Sequence, residues 1–182
     1  MQFDIKKCQP IFKQADTKNK GFLSMDQLFY AITRLLRIQI NMATLEIIMT
    51  LTDENNDGVT QEDEFCHIVY ICENADLRDT QSILFYAADN DYSGTIEKSE
   101  LFNVSKKLGI ETNELELFAM MSVLTGTQTD EQSLNYDMFE HIMDILIKRN
   151  NKQNKQYEDI LIDKIQQRQH VINLKNNSVS FI

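Results

Sequence analysis

The chain contains no tryptophan, a single proline (Pro10) and only five glycines among 182 residues. Proline and glycine end helices and interrupt strands, so their scarcity points to a predominantly helical protein. A basic excess is also missing: 18 Lys and Arg stand against 28 Asp and Glu, a net charge of −10. Phosphate backbones are recognised through basic patches, so no nucleic acid partner is expected; metal cations and basic protein segments suit an acidic surface. No apolar run approaches the roughly 20 residues that span a bilayer, so membrane insertion is not expected. The opening stretch MQFDIKKCQP offers neither the apolar run of a signal peptide nor the Met-Gly start needed for myristoylation, so no acylation is expected. Cys8, Cys66 and Cys72 are odd in number and spaced like no common zinc motif. They read as reduced thiols in a cytoplasmic protein.

What is present is a repeat. DENNDGVTQEDE (53–64) and DNDYSGTIEKSE (89–100) align with DTKNKGFLSMDQ (16–27), and Gly21, Gly58 and Gly94 fall on the same position. The same interval, about 37 residues, lands on TQTDEQSLNYDM (127–138), which has lost both the opening Asp and the Gly but keeps an apolar Leu134. Between these segments the pattern is helical. NMATLEIIMTLTD opens on Asn41, a good N-cap, and puts Leu45, Ile48, Met49 and Thr52 on one stripe. LRDTQSILFYAAD aligns Leu77, Leu84, Phe85 and Ala88; EDEFCHIVYICEN aligns Phe65, Ile68, Val69 and Cys72. KSELFNVSKKLG ends on Gly109, a C-cap position; TNELELFAMMSVLTG starts from Thr112; YDMFEHIMDILIKR aligns Phe139, Ile142, Met143 and Leu146. Pro10 requires the first helix either to begin near Gln9 or to kink there.

Helix, twelve-residue loop, helix, four times over, resembles the EF-hand calcium-binding superfamily in its calmodulin-like arrangement, from about residue 4 to residue 149. The resemblance implies an all-α fold of four EF-hands in two paired lobes, with an additional C-terminal helix. The expected boundaries are 1–74 for the first pair, 75–149 for the second, and 150–182 for a polar linker, amphipathic helix and tail.

Calcium takes six to eight oxygen ligands, and the resemblance assigns them by loop position. In the second loop they are Asp53, Asn55, Asp57, the carbonyl of Val59, Gln61 through water, and Glu64 with both oxygens. In the third they are Asp89, Asp91, Ser93, the carbonyl of Thr95, Glu97 and Glu100. Two Ca2+ ions are therefore expected, with Mg2+ as an occupant at resting calcium. Lys18 and Lys20 put positive charge at ligand positions of the first loop, and Gln27 cannot replace a bidentate carboxylate. In the fourth loop Thr127, Thr129, Glu131 and Met138 leave at most one strong ligand. Both loops are expected to serve as structural partners, with Leu23 against Thr60 and Ile96 against Leu134. Thr60 stands where the family usually has an aliphatic residue.

Three roles are open on this pattern: a sensor that opens an apolar groove to a target protein, a buffer, and a constitutive subunit or adaptor with structural calcium. Eight methionines, among them Met42, Met49, Met120, Met121 and Met143, favour the sensor, with a basic amphipathic helix as the expected partner. Live second and third loops with a C-terminal extension are similar to recoverin-type calcium sensors, without that family's acylated start. In the tail, Tyr157, Ile160, Leu161, Ile165 and Ile172 form an apolar face that packs on the protein itself or on a target. No enzyme is expected: the carboxylates are committed to the loops, and His67, His141 and His170 neighbour no nucleophile pattern.

Overall fold

The computed structural model describes residues 3–129, 132–150, 159, 162, 163, 165 and 166. The chain divides into two compact units, one built on residues 3–73 and one on residues 74–150; the described residues from 162 to 166 group with the first.

In the first unit a 3-10 turn, Ile5–Lys7, leads into α1 (Cys8–Ala15), and Pro10 stands in the first turn of that helix. The N–H that proline lacks has no intrahelical partner there, so nothing kinks. α2 (Met25–Tyr30) opens on a capping box in which the Ser24 hydroxyl and the Gln27 side chain serve each other's backbone N–H groups. It runs on into a π-helical turn, Ala31–Leu35. α3 (Met42–Thr52) starts on Asn41, whose Oδ1 accepts from Thr44 N–H at 2.8 Å. α4 (Glu62–Asn74) is buried along most of its circumference from Glu64 to Cys72. The core joins Phe12, Leu28, Ile32, Leu45, Ile48, Phe65 and Ile68, with the Phe12 and Phe65 rings 5.7 Å apart.

The expected stripe through Leu77 is corrected. Asp76 accepts from the Arg78 N–H and guanidinium, and Asp79 caps the helix by accepting from Gln81 N–H. These two carboxylates hold Leu77 in a turn ahead of α5 (Thr80–Ala88). β1 (Ile96–Glu97) leads into α6 (Lys98–Lys107), which ends at Gly109 with φ +72°. The N–H groups of Gly109 and Ile110 reach back to the carbonyls of Lys106 and Ser105, closing the helix. α7 (Glu114–Thr125) is capped by Asn113, one residue later than expected, because the Thr112 hydroxyl is engaged by Glu116 instead. β2 (Ser133–Leu134) precedes α8 (Tyr136–Asn150). The core of this unit joins Leu84, Phe85, Leu101, Leu117, Met121, Phe139, Ile142 and Leu146, with Phe85 edge-on to Phe139 at 5.4 Å.

Each unit therefore holds two helix–loop–helix elements, and their loops pair as the repeat requires. Leu23 and Thr60 exchange backbone hydrogen bonds of 2.8 and 2.9 Å in the first unit. In the second, β1 and β2 run antiparallel with Ile96 opposite Leu134 and Glu97 opposite Ser133. No helix of the described residues is long and apolar enough to cross a membrane. Asp159, Ile162, Asp163, Ile165 and Gln166 are helical, while Tyr157, Ile160, Leu161 and Ile172 of the expected tail helix lie outside the described residues.

Candidate metal centres

The loop 89–100 gathers its acids. Carboxylate oxygens of Asp89, Asp91 and Glu100 lie within 4.8 Å of one another. Backbone donors fix them: Asp89 accepts from Ser93 and Gly94 N–H at 2.9 Å each, and Glu100 accepts from Asn90 at 2.8 Å and Glu97 at 3.0 Å. Gly94, at φ +80°, supplies the left-handed turn that carries its N–H to Asp89. The Ser93 hydroxyl stands 3.3 Å from Asp89 Oδ1 and 2.9 Å from the Thr95 carbonyl, so the position-five and position-seven oxygens are adjacent. Glu97 is exposed and contributes its backbone to the closure.

This assembly is electrostatically costly without a cation. Asp89 and Glu100 are both buried, and two carboxylate oxygens within 4.8 Å repel by roughly 3 kcal/mol at an effective dielectric of about 20. Burial pushes the Glu100 carboxyl above its ordinary pKa, and the neighbouring Asp91 and Asp89 add to the shift. Asp91 moves the other way, held down chiefly by its hydrogen bond from Ser93. A divalent cation at this point would relieve the repulsion with hard oxygen ligands, the chemistry that suits calcium.

The loop 53–64 has the same backbone frame. Asp53 accepts from Asp57 N–H at 3.2 Å and Gly58 N–H at 3.1 Å, and Glu64 accepts from Glu54 at 3.2 Å and Gln61 at 3.0 Å. Asn55 Oδ1 takes the Asp57 N–H at 2.8 Å, and Asp57 Oδ1 takes the Val59 N–H at 2.9 Å. Burial likewise raises the Glu64 pKa, with Asp53 and Asp57 contributing. The difference lies at Asp57, whose other oxygen is held by the Gln61 amide at 2.7 Å. That neutral side chain takes a bond a cation could take, and Asn55 stands where the loop 89–100 has Asp91, so among the described residues only the later loop brings three acids within 4.8 Å of one another.

The two degenerate loops close by themselves. In the loop 16–27, Asp16 accepts from Lys20 N–H at 3.0 Å and Gly21 N–H at 2.7 Å, copying Asp53 and Asp89. Gln27 closes this loop with one amide, where Glu64 and Glu100 use two carboxylate oxygens. Its Oε1 accepts from Ser24 N–H at 3.1 Å, and its Nε2 donates to the Ala15 carbonyl at 2.9 Å. The Lys20 ammonium turns onto the Phe22 ring, 5.3 Å from its centroid. In the fourth loop the Met138 N–H is taken by Asn135 Oδ1 at 3.0 Å, a helix cap in place of a position-twelve carboxylate. The Ser-x-x-Gln spacing before an apolar run signals the Gln27 bond to Ser24, while its bond to Ala15 leaves no mark in the sequence.

Residues 5–70 match the family model described as an EF-hand domain pair. A calmodulin-like protein of Oryza sativa subsp. japonica is 27% identical over 136 residues, covering 72% of this chain and 78% of that one. The structure of a homolog of programmed cell death 6 protein from Leishmania major Friedlin aligns over 86% of this chain and 91% of that one, at 18% identity and a TM-score of 0.32. Residues 5–70 thus match an EF-hand pair, residues 74–150 repeat its two helix–loop–helix elements with loops joined in the same way, and the chain is similar to a calmodulin-like protein.

Proposed function

We propose that the chain is a calcium-dependent regulatory protein that binds one ion in each unit and couples occupancy to a partner protein. The convergence of Asp89, Asp91 and Glu100 within 4.8 Å carries this reading. Asp89, Asp91, Ser93, the Thr95 carbonyl, Glu97 and Glu100 are assigned to one ion. Asp53, Asn55, Asp57, the Val59 carbonyl, Gln61 and Glu64 are assigned to the other, once Gln61 releases Asp57. Mg2+ occupies these loops at resting calcium, and the protein works in the cytoplasm without catalytic activity of its own. The expected partner segment is a basic amphipathic helix, matched to the acidic chain.

Coupling requires the helices to part. Met49, Met121 and Met143 are buried, so they line a groove only after each unit opens. A second reading rests on α7, where Leu115 and Val123 are 83% and 82% exposed without any opening. With the exposed Ala119 between them they form a stripe at i, i+4, i+8, which suits a constitutive subunit attached through that face.

The test is calorimetric calcium titration of the full chain at cellular magnesium, with an apolar dye reporting surface exposure. Two ions and a dye response that saturates with them support the sensor. Glu64→Gln and Glu100→Gln should each remove one ion. Full stoichiometry retained in either variant overturns the assignment of that loop, and ion binding with a flat dye response favours the subunit reading.

A further inference from the structure

An open groove in the first unit, with a cavity volume of about 660 Å³, is walled by Phe29, Ile38 and Ile40 and rimmed by Arg34 and Arg37. Both arginines are exposed. The other two described arginines are committed to carboxylates: Arg78 forks onto Asp76, and Arg149 pairs with Glu116. Among the described residues Arg34 and Arg37 have no acidic partner, and no carboxylate lines the groove. Thr33 and Asn41 spend their side-chain oxygens locally, on the Phe29 carbonyl and the Thr44 N–H. Two guanidinium groups, each with five N–H donors, are left facing one apolar-walled groove in an otherwise acidic chain.

The backbone that places them is irregular. The π-helical turn Ala31–Leu35 closes through Leu36 N–H to the Ala31 carbonyl at 3.0 Å, and Ile38 N–H reaches back to Ile32 at 3.0 Å. Between them Arg37 adopts φ +61°. The second unit makes the same kind of reversal after α6 with Gly109, at φ +72°. A left-handed residue costs glycine nothing and costs arginine steric strain, so this side chain stands at a position where the backbone favours its absence.

We propose that this groove docks an acidic, apolar peptide segment of a partner protein, its carboxylates taken by Arg34 and Arg37 and its apolar side chains seated on Phe29, Ile38 and Ile40. The charge complementarity selects this occupant. A free anion would leave the apolar wall uncovered. An anionic bilayer would meet a unit whose residues 3–73 carry eleven Asp and Glu against seven Lys and Arg. The site lies outside the metal loops and is independent of the calcium assignment, and the charge of its partner is opposite to that of a groove-binding basic helix.

The test follows the arginine Nε–Hε NMR signals of the full-length chain, titrated in chelator with a capped peptide of Asp and Glu interspersed with Leu and Phe. The comparison peptide carries Lys at every acidic position. The acidic peptide should shift the Arg34 and Arg37 signals and leave Arg78 and Arg149 in place. Arg34→Gln or Arg37→Gly should weaken it about tenfold, a loss of about 1.4 kcal/mol. Arg37→Gly should also raise the thermal midpoint, which excludes misfolding as the cause of lost binding. Equal binding of the Lys peptide overturns the proposal. So does the same pair of shifts produced by inorganic phosphate alone, by phosphatidylserine vesicles, or by an added peptide of residues 167–182. Arginine shifts that grow with protein concentration alone assign the groove to a second copy and equally overturn it.

Discussion

Replacing Thr60 by valine should stabilise the protein. Thr60 is 1% exposed and sits in the bridge to Leu23, with both backbone hydrogen bonds made. Its hydroxyl is buried with no hydrogen-bond partner among the described residues. An unpaired buried hydroxyl costs about 1–3 kcal/mol, and valine has nearly the same shape with a methyl in its place. The bridge depends on main-chain atoms alone and survives the change. The net gain is about 1–2 kcal/mol, and for a unit of this size each kcal/mol is worth roughly 4–8 °C in thermal midpoint. Calorimetric unfolding of the full chain in chelator measures it, with Ile96→Thr as the reciprocal control. Ile96 is fully buried opposite Leu134, so that change strands a hydroxyl at the equivalent place and should lower stability by a comparable amount. A Thr60→Val midpoint equal to or below that of the parent refutes the reasoning, because the hydroxyl must then be satisfied.

Gln27→Ala removes bonds to Ser24 and Ala15 and should cost about 1–2 kcal/mol of stability by chemical denaturation, while calorimetric calcium stoichiometry stays unchanged. A lost ion would assign a metal role to the first loop. The raised Glu64 and Glu100 pKa values set the sign of a pH effect. A carboxyl that binds its proton more tightly folded than unfolded favours the metal-free fold as pH falls through the raised value, and that stabilisation is lost as pH rises past it. Calcium must displace the same protons, so affinity should begin to fall on the alkaline side of the usual glutamate range, and a titration flat down to that range refutes it. Arg37→Gly should gain about 1 kcal/mol by relief of the left-handed strain, read by denaturant midpoint, and a loss would show that the arginine holds the turn.

The repeat was legible because a twelve-residue loop binds its backbone to fixed positions. Gly21, Gly58 and Gly94 all adopt the left-handed turn, at φ +80°, +83° and +80°. The spacing that aligned them also placed Leu23 against Thr60 and Ile96 against Leu134. What stayed hidden depends on competition among short polar contacts. Thr112 and Asn113 are both good caps, and the choice turned on Glu116 capturing the threonine. Leu77 fits a helical period, yet two neighbouring aspartates give its backbone another set of bonds. The π-helical turn before Arg37 left no mark at all, because RLLRIQ contains neither glycine nor proline to signal a break. Part of the contrast between the loops 53–64 and 89–100 was legible, in Asn55 standing where the later loop has Asp91; the bond between the Gln61 amide and Asp57 was not.

That amide and the one on Gln27 have opposite consequences for an ion. Gln27 is built into the frame: it bridges the loop 16–27 to the end of α1, and no carboxylate stands at position twelve to compete with it. The first loop is therefore closed by its own bonds, with Leu23 in register against Thr60. Gln61 is a removable stand-in. It gives Asp57 a bond from an uncharged donor that a divalent cation can outcompete, because the Coulomb attraction between the ion and the carboxylate at contact exceeds that of a single amide N–H. Under the proposed assignment one loop of the first unit supplies a fixed edge and the other the whole response to the ion. Gln61→Ala should then tighten calcium binding in that loop by releasing Asp57, and a weakened isotherm by calorimetric titration would refute the stand-in and keep the glutamine as a ligand through water.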